Sequence, residues 1–152
     1  MPTFTSARLT PKTYHAAGTI SSANITATTA GALGHANGYV VVPAPGTGKV
    51  LELVSAIFVM EYDTAAYTAG GNTTVNLGGG GAALTGLVSN ANFIQASADK
   101  IIQFVPLAAT FLTLTSNTGL ALVSASAPTN PGTAAGEIHY RISYRIHDVS
   151  TL

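Results

Sequence analysis

The stretch PAPGTGKV at residues 43–50 contains a Gly-Thr-Gly-Lys run, which is part of the pattern of a phosphate-binding loop. That pattern also needs a glycine five positions before the second glycine and a hydroxyl residue after the lysine. Here these two positions hold Pro43 and Val50. The loop should also open a helix whose N-terminal amides hold the phosphate, whereas a β-branched run follows Lys49. We therefore expect no nucleotide site here.

The same stretch has the composition of a tight turn. Proline presets φ near the value that a turn needs, and glycine adopts positive φ without steric cost. We predict that Pro45 starts the turn, that Gly46 and Gly48 take positive φ values, and that Lys49 is solvated.

Hydrolytic chemistry has weak support in the sequence. No serine stands in a G-x-S-x-G motif, so the nucleophile elbow of the α/β-hydrolases is missing. Four histidines and three aspartates leave a triad on another fold open, because a triad needs only spatial proximity.

Two carboxylates, Glu61 and Asp63, flank Tyr62 at the end of a long apolar run. On a strand, residues i and i+2 share a face about 6.6 Å apart, near the separation of the carboxylates that hydrolyse glycosides. The pair could therefore serve in catalysis or form a weak calcium site. We favour a third interpretation, in which both acids are solvated at a strand end.

Histidines are the remaining metal ligands. His139 and His147 would lie on one face of the last strand, but eight residues put them roughly 26 Å apart, which is too far to share an ion. His15 and His35 are expected in loops. We predict no cofactor and no metal within one chain, while a metal that bridges subunits at a symmetry axis stays open.

The polar face of the last strand carries four basic or titratable side chains: His139, Arg141, Arg145 and His147. One interpretation is that this strip faces solvent. The other is that it is an interface strip that faces an acidic neighbour, where arginine makes bidentate pairs.

The segment that must position this strip is EIHYRISYRIHD at residues 137–148, where isoleucine and tyrosine alternate with polar residues. Unbroken alternation of this length predicts a strand with one buried face. Residues 49–62 are rich in Val, Ile and Phe and predict a long buried strand, although Leu53, Ile57 and Met60 have helical spacing.

Shorter β-rich runs lie between loops rich in glycine, proline and asparagine. The runs at 73–77 and 101–105 predict strands, 111–124 predicts a hairpin, 4–10 and 19–28 are weaker strand candidates, and 89–97 could hold one helical turn. The fold class is therefore all-β: a single-domain β-sandwich or jelly roll of about eight short antiparallel strands with little helix.

The composition narrows the class of function. Charged residues make up 8% of the 152-residue chain, against about 25% in a typical soluble domain, and the six basic and six acidic residues cancel. No basic excess exists to bind nucleic acid, no cysteine exists for disulfides or thiolate chemistry, and no apolar run is long enough to span a membrane. A weakly charged surface of small residues suits a protein that stays in contact with other proteins.

Two segments, 48–86 and 120–148, carry a resemblance to a known class of protein. Their shared pattern is an apolar run ending in YDTAAYTAGGN, a glycine-rich corner, and GTAAG leading into a final strand of alternating tyrosine, isoleucine and arginine. The pattern resembles small virion proteins of tailed bacteriophages that decorate, or cement, the capsid. With the stretch between the segments, it covers about two thirds of the chain.

The resemblance implies a jelly-roll-like module that forms a homotrimer on the outside of the capsid, where major capsid proteins meet. It implies no catalytic residue, assembly in the host cytoplasm, and a location in the virion. It also implies an N-terminal arm or edge segment at residues 1–18, followed by the β-sandwich domain at 19–152.

Two other functions fit the same composition. One is a different virion component, such as a head-fibre or tail subunit. The other is a receptor- or glycan-binding β-sandwich. Sugar binding favours exposed aromatic platforms, but the chain has no tryptophan. Four of its six tyrosines lie in or beside apolar runs: Tyr62, Tyr67, Tyr140 and Tyr144.

Overall fold

The computed structural model describes residues 11–107, 115–131 and 136–150, and over these residues the fold is all-β. The strands are β1 (Thr13–Ile20), β2 (Tyr39–Val42), β3 (Lys49–Met60), β4 (Thr68–Ala69), β5 (Thr73–Leu77), β6 (Lys100–Phe104), β7 (Leu120–Ser124), β8 (Pro128–Thr129) and β9 (Ile138–Asp148). The helical elements are the five-residue helix α1 (Ser22–Thr26) and a 3₁₀ turn at Asn90–Asn92. Neither helical element is long enough to cross a membrane.

The strands form two main sheets and one small one. The first sheet has the order β1-β9-β3-β6, the second β2-β7-β5, and the short strands β4 and β8 pair with each other. All the pairs are antiparallel. Buried side chains from both main sheets belong to a single hydrophobic cluster, so the architecture is that of a β-sandwich.

Strand β9 is one of the two inner strands of the first sheet. It pairs with β1 over eight residues and with β3 along its whole length. Ile138 and Ile142 are fully buried, whereas Arg141, between them, is exposed. The predicted alternation of buried and outward side chains is confirmed.

Strand β3 confirms the predicted long strand and resolves its ambiguous spacing. The register with β9 shifts between Leu53 and Ser55, which marks a bulge of the kind that adds a residue to one strand. The bulge lets Leu53 and Ala56 both face the core. Ile57, one of the residues with helical spacing, consequently faces outward and is 39% exposed.

Aromatic side chains fill the middle of the core around Phe58. Its ring centroid lies 5.4 Å from that of Phe104, 6.2 Å from that of Phe93 and 6.1 Å from that of Tyr140. These spacings are those of favourable aromatic pairs. Phe93 comes from the segment 89–97, whose predicted helical turn is confirmed as the 3₁₀ turn.

Three other predictions differ from the structure or fall partly outside it. The strand candidate at 19–28 is wrong beyond Ile20, because Ser21 accepts a hydrogen bond from the Asn24 amide and caps helix α1. The candidate at 4–10 lies outside the described residues, as does the 111–114 part of the predicted hairpin. The other arm of that hairpin is β7, which pairs with β2 on one side and β5 on the other.

The N-terminal boundary can be placed against the strands. The division between an arm or edge segment at 1–18 and a domain at 19–152 falls inside β1. Described residues 13–18 therefore belong to an outer strand of the four-stranded sheet. Residues 1–10 lie outside the described part of the chain.

Tyr67 ties the core to the segment before β9 and makes stability depend on pH. Its side chain is 1% exposed and its hydroxyl donates to the Gly136 carbonyl at 2.7 Å. Burial, with the Glu137 carboxylate nearby, raises the pKa of Tyr67 from 10.0 to about 12. The folded state therefore favours the neutral phenol, so this stabilisation is complete below pH 10 and is lost as the pH rises from 10 through 12.

We expect Tyr67→Phe to lower the free energy of unfolding at pH 8 by about 1 kcal/mol, because it removes the hydrogen bond. Above pH 10 the unsubstituted protein loses stability as Tyr67 ionises in the unfolded chain, whereas phenylalanine cannot ionise. The difference in the free energy of unfolding between the two proteins should therefore narrow. Urea unfolding from pH 8 to pH 11 measures both effects. A gap that stays constant with pH would contradict the assigned pKa.

Candidate interaction surface

The four predicted strip residues lie on the outer face of the four-stranded sheet. We define the outer face as the side chains of this sheet that point away from the core. Opposed residues on neighbouring strands share a face, so the register assigns its members. They are Thr13, His15, Ala17 and Thr19 on β1; His139, Arg141, Ser143, Arg145 and His147 on β9; Val50, Glu52, Ser55, Ile57 and Val59 on β3; and Ile101 and Gln103 on β6.

At one end of the strip, Arg145 and His147 share a carboxylate. Glu52 lies opposite Arg145 in the register. Arg145 Nη1 donates to Glu52 Oε1 at 3.1 Å, and His147 Nε2 lies 2.7 Å from Glu52 Oε2. Each of the three side chains is about one third to two fifths exposed, so they are only partly screened by water. The sharing of Glu52 holds both basic side chains in one place.

At the other end, His139 is held from both sides. Its Nδ1 lies 2.9 Å from the Thr19 hydroxyl on β1, and its Nε2 lies 2.9 Å from Glu61 Oε2. Glu61 directly follows β3, and its amide donates to the Glu137 carbonyl at 2.9 Å. The pairing of the two chain segments thus continues one residue beyond the strand and carries the carboxylate to the histidine.

Arg141 differs from the other three residues of the strip. It is exposed and, within the described part of the chain, it has no hydrogen-bond or ion-pair partner. Its cross-strand neighbours are Ala17 on β1 and Ile57 on β3, and neither offers an acceptor side chain. The strip therefore has carboxylate partners at both ends and one guanidinium, that of Arg141, without a partner among the described residues.

The outer face also exposes apolar side chains. Ile57 is 39% exposed, and Ile101 on β6 is 74% exposed. Beside them, a depression of ≈ 560 Å³ runs over the sheet surface between β1 and β3. Its lining residues are Ala17, Gly18, Thr19, Ile57, Val59, His139, Tyr140 and Arg141.

The pair Glu61 and Asp63 does not form the arrangement that sequence spacing allowed. Strand β3 ends at Met60, so the two acids do not lie on one strand. The Glu61 carboxylate contacts His139, and the Tyr62 amide between the acids donates to Asp99 Oδ1 at 2.8 Å. Both acids line a shallow polar depression of ≈ 290 Å³.

Of the two histidines predicted in loops, one lies in a strand and the other in a loop. His15 lies in β1 and not in a loop, with its Nδ1 3.0 Å from the Ser143 hydroxyl of β9. Its prediction as a loop residue was wrong, because β1 begins in the interval between the strand candidates at 4–10 and 19–28. His35 lies in a loop, as predicted, and its Nδ1 accepts from the Asn37 amide at 3.1 Å. In the described ranges, no three metal-ligating side chains come together.

The PAPGTGKV segment is a turn. Gly46 and Gly48 have φ values of 102° and 72°, as predicted, and the Lys49 amide donates to the Gly46 carbonyl at 3.2 Å. Strand β3 begins at the exposed Lys49, so no helix N-terminus is present to hold a phosphate. Asn117 Oδ1 accepts from the Gly46 amide at 3.0 Å and anchors the turn.

Sequence reasoning missed Glu52 and the role of Glu61. Glu52 is the single charged residue inside the apolar part of 50–60, and this isolation was the available signal that it faces outward. That it contacts Arg145 and His147 depends on the register of β3 against β9, which spacing within one strand does not specify.

Comparison of the chain with protein-family models, with curated proteins and with solved structures finds no match. A proposal for the function therefore depends on the sequence resemblance and on the geometry of the outer face.

Proposed function

We propose that this chain is a non-enzymatic structural protein of a tailed-bacteriophage virion. In this proposal it binds the outside of the capsid as a homotrimer and cements the shell at contacts between major capsid proteins. The resemblance of segments 48–86 and 120–148 to capsid decoration proteins suggests the class. The outer face of the four-stranded sheet supplies the contact surface.

The observation that supports this proposal most is the composition of the outer face. Exposed Ile57 and Ile101 lie on the same face as the ion pair of Glu52 with Arg145 and the hydrogen bond of Glu52 with His147. Apolar residues beside ordered polar groups are typical of protein interfaces. Because the charged side chains already hold one another, less side-chain entropy is lost when a partner covers them.

Cementing needs no reaction, only added contact. Each Å² of apolar surface that leaves water contributes roughly 25 cal/mol before the costs of association. A homotrimer that touches several capsid subunits adds avidity, because the second and third contacts form within one complex. The shell then resists the pressure of the packaged DNA better.

The test compares phage particles that lack the protein with complete particles. We expect the depleted particles to release DNA at a lower temperature and after a milder osmotic shock, and added protein to restore both limits. Light scattering on the free protein should give about three times the chain mass of 15.3 kDa. Depleted particles that withstand heat and shock as well as complete ones would contradict the stabilising role.

Two variants, one on each main sheet, assign the effect to the outer face. Ile57→Asp/Ile101→Asp places charges on that face and should abolish restoration. Val40→Asp alters a 52% exposed residue of β2 in the other sheet and should restore stability normally. Circular dichroism confirms that both variants are folded. Equal restoration by both would contradict the assignment of the outer face.

A further inference from the structure

We propose that Arg141 binds an aspartate or glutamate side chain of the major capsid protein, and that the depression beside it accepts an apolar side chain next to that carboxylate. This inference rests on the proposed function, which supplies the partner. It goes further by naming the point of contact on the outer face and the chemistry of the group that fills it.

The charges of the strip support this assignment. His139, Arg145 and His147 each contact a carboxylate of their own chain. Arg141 has no such contact within the described residues. When a partner covers the face, a guanidinium that loses water without gaining an acceptor destabilises the complex. The partner therefore has to supply an acceptor at this point, and a carboxylate matches the two parallel donors of arginine.

The shape of the surface supports an apolar neighbour for that carboxylate. The ≈ 560 Å³ depression is bounded on the β1 side by Ala17 and Gly18 and on the β3 side by Ile57 and Val59. On the outer face of β1, Ala17 lies opposite Arg141, and its small side chain leaves the space open. The polar groups of Thr19 and His139, which also line it, already contact each other.

The guanidinium is approachable from a second direction. A second depression of ≈ 400 Å³ is lined by His15, Ala16, Ala17, Arg141 and Ser143. It shares Ala17 and Arg141 with the first. Arg141 therefore stands between two open regions, so a carboxylate can reach it while an apolar side chain occupies the larger one.

The first experiment measures binding of the full-length protein to capsids that lack it, by co-sedimentation. Arg141→Gln should weaken binding by at least about 10-fold, because it leaves the partner carboxylate unpaired. Lys49→Gln is the matched control: it removes one positive charge from an exposed residue at the start of β3 and should change binding by less than about 2-fold. Equal binding by Arg141→Gln and the unsubstituted protein would overturn this inference and leave the proposed function standing.

The second experiment identifies the contacting group. Arg141→Lys places an amine at the site, and a carbodiimide then couples this amine to any carboxylate in contact. We expect mass spectrometry to find a cross-link from position 141 to an aspartate or glutamate of the major capsid protein. A cross-link to another copy of this chain, or none from position 141 in bound capsids, would overturn the assignment. If the unsubstituted protein does not bind capsids at all, the proposed function fails, and the partner named here fails with it.

Discussion

Replacing Phe58 by alanine is expected to lower the free energy of unfolding by about 3–5 kcal/mol, the range for large-to-small changes at buried aromatic residues. Phe58 is fully buried and packs against Phe93, Phe104 and Tyr140. Phe93 directly follows the 3₁₀ turn, Phe104 lies in β6 and Tyr140 lies in β9. Its removal therefore leaves a cavity that several separate segments would have to fill. Urea unfolding followed by circular dichroism measures the loss.

Ile101→Ala is the control for Phe58→Ala. Ile101 belongs to the same sheet but is 74% exposed, so truncating it should change the free energy of unfolding by less than about 0.5 kcal/mol. Comparable losses in the two variants would mean that Phe58 does not occupy the centre of the core.

Gly79→Ala is expected to destabilise the protein by an amount near the upper end of the ~1–3 kcal/mol range for overpacking. A Cβ at this position would overlap the backbone of Asn37, including its carbonyl oxygen. Because the obstacle is backbone and not the end of a flexible side chain, one of the two loops would have to move. Thermal and urea unfolding of the variant measure the cost.

The neighbouring glycine offers a closely matched control. At Gly80 the atom nearest to an added methyl group would be Asn37 Oδ1 at 3.8 Å, an ordinary van der Waals contact. Gly80→Ala should therefore be neutral, or stabilise the fold by up to about 1 kcal/mol by restricting the unfolded chain. Equal effects at the two positions would contradict the close approach of the Gly79 loop to Asn37.

Gly79 and Gly80 have the same local sequence context but differ in their packing. They stand side by side in the run GGGG at 78–81, and nothing local distinguishes them. The run could be predicted as a loop because glycine favours turns. The packing of Asn37 against one of its members joins segments that are about forty residues apart in the chain.

The strands that contribute most of the first sheet were predictable. Alternation in 137–148 indicated β9 and its outward strip, and β-branched residues indicated β3. The start of β1 was missed, because residues 13–18 (TYHAAG) include two alanines and a glycine, which have little β-propensity. Pairing with β9 over eight residues holds this segment in the sheet.

For the outer face too, some features could be predicted from the sequence and others depend on the packing of distant segments. Alternation within β9 determined that His139, Arg141, Arg145 and His147 share a face, because the side-chain period of a strand is two and is a local property. The partners of these residues depend on register, which involves β1, β3 and β9 at once.

The all-β class, the two long strands, the turn at 43–50 and the alternating faces of β9 could all be predicted from the amino-acid pattern. These features follow from backbone preferences and from periodicity over a few neighbouring residues. The folded arrangement adds that Glu52 contacts Arg145 and His147, that Glu61 contacts His139, and that Arg141 is left without an acceptor among the described residues. Contacts between distant segments depend on how the strands are ordered and aligned, and that alignment is set by burial of the whole core.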